Sequence, residues 1–127
     1  MLIETTNQLS DNGYAYINLA YLELMADNDP EMKGVMLDML LTELPEELNK
    51  MQELFAASSW KDLGSVSHKM KSTLAFVGNN QMTEANKNIE TMSKEGEQAE
   101  ELGNMLNVLV EICPKVMAEL KVEQSRL

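Results

Sequence analysis

ASSWKDLGSVSHKMKSTLAFVG, residues 57–78, places apolar side chains at Trp60, Leu63, Val66, Met70, Leu74 and Val77. Intervals of three and four residues put these six on one stripe of an α-helix, with no period-two alternation of the kind a half-buried strand shows. Ser58 or Ser59 suits the cap before the first turn, and Gly78 suits the stop after the last. The stripe defines an inward direction. At about 100° per residue, His68 falls roughly 160° from that direction and faces outward.

The same periodicity extends along the chain in both directions. Asn18 can cap a short helix, LAYLELMA, with Leu19, Leu22 and Met25 turned inward. Asp29 and Pro30 mark a strong helix start. From there Met32, Val35, Met36, Met39, Leu40, Leu44, Leu48, Met51, Leu54 and Phe55 recur at helical spacing. Pro45 lacks an N–H and crowds the carbonyl of Leu41, so a kink is expected there rather than an end. After the histidine helix, Met82, Ala85, Ile89 and Met92 mark another over about Gln81 to Ser93, and SKEGEQ reads as a turn. The last helix is expected over about Ala99 to Val122, on Leu102, Leu106, Leu109, Cys113, Val116 or Met117, and Leu120, with a kink at Pro114. One short helix and four longer ones with short turns predict an all-α fold. Its architecture is an antiparallel four-helix bundle with an additional short N-terminal helix. Residues 1–17 read as an arm or linker and residues 18–127 as the helical domain.

Composition agrees with this reading. The 127 residues suit one domain with a real core. Methionine, at 11, and leucine dominate an apolar set in which aromatics make up only 5%, which favours helices over strands. The net charge of −11 argues against nucleic acid, whose phosphates need a basic face, and against an anionic membrane surface. The single cysteine, Cys113, cannot close an intramolecular disulfide and sits on an apolar stripe, which suits a reducing compartment and a core position. MLIETTNQLS lacks the features of a signal peptide, and no apolar run reaches membrane-spanning length. A cytoplasmic location is the expectation, with no membrane insertion.

His68 is the one histidine of the chain, and its surroundings decide how to read it. A lone histidine on a helix is most often an ordinary surface residue, and lysines beside it ordinary solvated charge. Here Ser65, Ser72 and Ala75 lie along the same outer face, with Gly64 one turn before. This leaves room for a partner to settle on the imidazole. Lys71, at i+3, can reach a group attached to the ring, whereas Lys69 projects to the other side.

These residues carry a resemblance. SHKMKSTLAFVG is similar to the H-x-x-K-small-small signature of histidine-containing phosphotransfer (HPt) domains of two-component phosphorelays. The likeness covers about residues 18–122 and takes in ELPEEL in the long helix, Trp60 and Gly78. Ser72 stands where the family usually has glycine. The resemblance implies that His68 accepts a phosphoryl group on Nε2 from a receiver phospho-aspartate and passes it to another receiver. Lys71 would balance the phosphoryl charge, and Gly64, Ser65, Lys69, Ser72 and Ala75 would form the receiver docking face. Some members place a carboxylate 22 residues after the histidine to hold Nδ1; that position is Glu90, beside the inward-facing Ile89. The implied partners are response-regulator receiver domains and a hybrid sensor histidine kinase. The protein itself needs no cofactor, the Mg2+ of the transfer being expected in the receiver.

Other chemistries find less support. One histidine and one cysteine 45 positions apart, with no His-x-x-Glu pair, do not suggest a metal centre. The six glycines are scattered and form no phosphate-binding loop, which points to a carrier and not an ATP-dependent kinase. The competing reading from another class is a helical-bundle adaptor that binds a signalling partner without being phosphorylated.

Overall fold

The computed structural model describes residues 13–96 and 99–127. Among these, five helices follow one another: α1 (Ala20–Met25), α2 (Pro30–Ala56), α3 (Trp60–Val77), α4 (Asn80–Glu95) and α5 (Ala99–Ser125). Connections of two or three residues make sequential neighbours among the four long helices antiparallel, and four residues join α1 to α2. α2 and α4 each pack against both α3 and α5, which closes a ring of four long helices, and α1 lies on α2 and α3. The all-α bundle with its short N-terminal helix is thus the observed fold.

Local chemistry sets the helix ends. Asp29 accepts the Glu31 N–H at 3.0 Å ahead of Pro30, as its position suggests. Asn18 Oδ1 accepts the Ala20 N–H at 3.0 Å, and Asn79 Oδ1 that of Met82 at 2.9 Å. Asp27 and Asn28, both at positive φ, turn the chain between α1 and α2; these are side chains that tolerate the left-handed region. Gly78 ends α3 at φ +75°, and a Cβ there would stand 2.2 Å from the Asn18 carbonyl oxygen. Only glycine fits both the conformation and the approach. α2 and α5 run on through Pro45 and Pro114.

The core is built from leucine and methionine. Leu37, Leu40, Leu44 and Met51 of α2 meet Leu63, Met70, Leu74 and Val77 of α3, Met82 and Ile89 of α4, and Leu102, Leu109, Val116 and Leu120 of α5. Val116, not Met117, takes the fully buried position.

Three expected core residues are exposed: Met25 at 50%, Met32 at 45% and Val35 at 58%. In α2 two apolar stripes compete, and the one through Leu37 is buried. Lys33, one turn before Leu37, pairs with Glu123 of α5 at 2.6 Å and turns that face inward, so Met32 and Val35 point away. On α1, Leu22 is the buried residue, and Tyr21 stacks on Phe76 instead, centroids 5.2 Å apart.

The packed domain also takes in residues assigned above to the arm. Tyr14 and Ile17 join the core. The backbone N–H groups of Ala15, Tyr16 and Ile17 donate to the Glu119 carboxylate at 2.8–3.1 Å. The Tyr14 hydroxyl donates to Glu123 at 2.6 Å, and Asn18 N–H to the Val77 carbonyl at 2.9 Å. The rest of the expected arm, residues 1–12, and Glu97 and Gln98 of the expected turn lie outside the described residues. α4 runs two residues past its expected end, to Glu95, and Gly96 caps it at φ +68°.

Candidate functional site

The site is made by two antiparallel helices held in register from below. Ser67 and Asn86, both fully buried, face each other between α3 and α4. The Ser67 hydroxyl lies 2.9 Å from the Asn86 backbone carbonyl and 2.7 Å from its side-chain oxygen, while Asn86 Nδ2 donates to the Ser67 carbonyl at 2.9 Å. Buried polar groups satisfied in this reciprocal way fix a helix pair more narrowly than apolar packing does. His68 follows Ser67 directly, and Glu90 is one turn beyond Asn86.

On the surface above that clamp, His68 and Glu90 meet. His68 Nδ1 lies 2.8 Å from Glu90 Oε2. The His68 side chain is 69% exposed and that of Glu90 17%. The hydrogen bond from His68 holds the Glu90 carboxyl below the usual carboxylate range against an opposing effect of burial, and Lys71 pulls the same way as His68. An ionised carboxylate only accepts, so the proton of this contact sits on Nδ1, and in the neutral ring that tautomer leaves the lone pair on Nε2. The other carboxylate oxygen, Oε1, is 3.6 Å from Lys71 Nζ. One carboxylate therefore holds the imidazole and the ammonium on the same side of α3.

The remaining expected residues divide. Ser65, Ser72 and Ala75 are exposed along the His68 face of α3. Lys69 is exposed but acts electrostatically on Glu47 of α2, away from the imidazole. Gly64 is half-buried in the α3–α4 seam, where a Cβ would stand 3.4 Å from Ser93, so it belongs to the floor between the helices and not to the open flank. Beside His68 runs a groove of about 710 Å3, lined by Trp60, Lys61, Gly64, Ser65, His68, Glu90, Ser93, Lys94 and Gly96. Sequence reasoning missed this groove and the Ser67–Asn86 clamp. Their one signal was a polar or small residue at positions of the apolar stripes: Ser67 on α3, Asn86 and Ser93 on α4.

Cys113 is a buried core residue whose thiol pKa is pushed up by burial, which removes it from nucleophilic chemistry. Among the described residues no group of histidine, cysteine and carboxylate side chains is placed to hold a metal ion, and no helix is long and apolar enough to cross a membrane.

Comparison with known proteins agrees with this geometry. The Hpt domain family model matches residues 35–119, a span that contains His68, Lys71 and Glu90. The chain belongs to the Hpt domain family, whose members carry phosphate and are not kinases. Its fold is also that of the crystal structure of the HPT domain from an Hpt sensor hybrid histidine kinase of Shewanella. That structure is 24% identical with a TM-score of 0.73, over 87% of this chain and 95% of that one. No curated protein matches.

Proposed function

We propose that His68 is the phosphoryl carrier of this histidine phosphotransfer domain, with Glu90 and Lys71 as its supporting groups. The observation that carries this reading is the exposed imidazole whose Nδ1 is tied to Glu90 at 2.8 Å, which leaves Nε2 as the free nucleophile. Nε2 attacks the phosphorus of a receiver phospho-aspartate. The N–P bond forms as the acyl O–P bond breaks, and the aspartate leaves as a carboxylate. No proton has to move, because Nδ1–H stays on the ring and the phosphorylated imidazolium keeps its charge beside Glu90. Lys71 supplies a point charge to the phosphoryl oxygens. The reverse reaction delivers phosphate to a second receiver.

The Mg2+ that neutralises the transferring group belongs to the receiver in this scheme, and the exchange partners are receiver domains, whether free-standing or within a hybrid kinase. The Ser65, Ser72 and Ala75 side chains keep the approach to Nε2 low. The test is a two-step relay: a phosphorylated receiver is mixed with the protein, removed, and replaced by an unphosphorylated receiver. Acid-labile, base-stable phosphate on the protein that passes on to the second receiver is the expected result. Complex formation without labelling would instead favour the adaptor reading.

A further inference from the structure

We infer that the groove between the N-terminal half of α3 and the C-terminal half of α4 is a specificity pocket that receives an apolar side chain of the receiver, flanked by carboxylates. This deepens the carrier reading and rests on it. The groove exists because its floor is nearly bare. Gly64 and Ser93 bring the two helices close, a Cβ on Gly64 standing 3.4 Å from Ser93. Gly96, at φ +68°, then turns the chain away under the Trp60 ring, 3.3 Å from where its Cβ would lie. Trp60 forms the end wall, braced edge-on by Phe55 at a centroid distance of 5.7 Å. The volume of about 710 Å3 is in the range of pockets that engulf a bulky group. His68 and Glu90 line the same groove, so a side chain seated in it brings its own backbone alongside Nε2.

The charge around the groove states the chemistry of the occupant. The span from Trp60 to Glu95 carries five lysines against four carboxylates, while the rest of the chain carries five basic residues against seventeen acidic ones. The carboxylate in the groove, Glu90, is already engaged by His68 and Lys71. Lys61 and Lys94 stand exposed on the groove's two sides, and neither forms an ion pair among the described residues. On a protein of net charge −11, the α3–α4 span is the part of the chain where basic residues outnumber acidic ones, which favours an acidic partner there. Complementary rim charges of this kind act on encounter rate and on the choice among similar partners. An aromatic end wall is the type of surface that anchors an apolar side chain.

The test uses the full chain with Lys61→Glu, Lys94→Glu and the double reversal, and separately Trp60→Ala, which removes the groove's end wall. Each is labelled by phosphoramidate, a donor too small to need docking. Each is then labelled by the phosphorylated receiver that exchanges fastest with the wild type in a panel from the source organism. The double reversal is expected to cut the receiver rate about tenfold or more, with the wild-type rate itself falling as salt is raised, and Trp60→Ala to cut it similarly at any salt. Phosphoramidate labelling should stay within about twofold. An unchanged receiver rate overturns the pocket while leaving the carrier reading intact. Equal slowing with both donors also overturns it, since the lysines would then act on the phosphoryl group. A wild type that takes phosphate from neither donor removes the carrier reading itself, and the pocket with it.

Discussion

His68 and Glu90 are joined across two helices by a 2.8 Å contact between Nδ1 and Oε2. A carboxylate placed there does two things at once. In the proposed role it fixes the ring tautomer that exposes a lone pair on Nε2, and it would stay beside the positive charge that the ring acquires on phosphorylation. The arrangement depends on the α3–α4 register, which buried Ser67 and Asn86 set directly underneath.

Removing the carboxylate should loosen the imidazole without removing the nucleophile. For Glu90→Ala, phosphoramidate labelling is expected to slow by about tenfold to a hundredfold. Nitrogen-15 NMR should show a wild-type ring with its proton on Nδ1 and a mixed population of tautomers in the variant. The Glu90 carboxyl is held below its ordinary value by His68. Its contribution is therefore present above the usual carboxylate range and is lost as pH falls through the lowered value. An unchanged tautomer in Glu90→Ala would show that something else orients the ring.

In the proposed mechanism Lys71 supports charge and forms no bond to phosphorus, so its loss should be partial. Lys71→Ala is expected to slow transfer by about tenfold, with His68 still the labelled residue. Rapid-quench labelling of variant and wild type checks this, and equal rates would reassign Lys71 to the solvated surface.

Much of this could be read in the sequence because the relevant signals are local. The stripe from Trp60 to Val77 gives the helix and, by subtraction, the outward face of His68. Asp29–Pro30 and Gly78 mark helix ends by chemistry confined to a few residues. Glu90 came from the resemblance to HPt domains and not from a local pattern, and the antiparallel pairing of α3 and α4 brings it to His68. What escaped is non-local. The docking of residues 14–17 depends on Glu119 and Glu123, more than a hundred positions away, and their carboxylates look like any others in an acidic chain. Methionine-rich α2 offered two apolar stripes, and the one through Leu37, Leu40, Leu44 and Met51 is the one buried against the other long helices. The groove beside His68 exists only where small residues of two helices face each other.

Glu47 gives a prediction about stability. Its carboxylate is buried against α3, and among the described residues neither oxygen has a hydrogen-bond partner. Burial pushes its pKa up, Glu43 and Glu46 act the same way, and Lys69 opposes them. With the folded value raised, stability is fullest below the ordinary carboxylate value and is lost as pH rises through the folded one. Glu47→Leu should therefore stabilise the protein by about 1 kcal/mol or more at neutral pH and by less under acidic conditions. Urea unfolding at two pH values measures this. A variant less stable than wild type at neutral pH would mean that the carboxylate is paired in solution.

The bare flank can be tested by adding bulk where no chemistry occurs. Ser72→Arg, on the exposed face of α3, should leave helicity by circular dichroism and labelling by phosphoramidate unchanged. Transfer from a phosphorylated receiver should fall about tenfold or more as the side chain intrudes on the interface. A normal rate from the receiver would move the docking face elsewhere.

The most direct measurement is the site of the phosphate itself. Wild type and His68→Gln are incubated with a phosphorylated receiver, and the modified residue is located by mass spectrometry under alkaline conditions. His68 is 69% exposed, so the substitution should change stability by no more than about 0.5 kcal/mol, which makes loss of labelling attributable to the ring. One acid-labile, base-stable phosphoryl group on His68 in the wild type, and none anywhere in His68→Gln, is the expected result. Phosphate on another residue, or a folded His68→Gln that still accepts it, would contradict the assignment of His68 as the carrier.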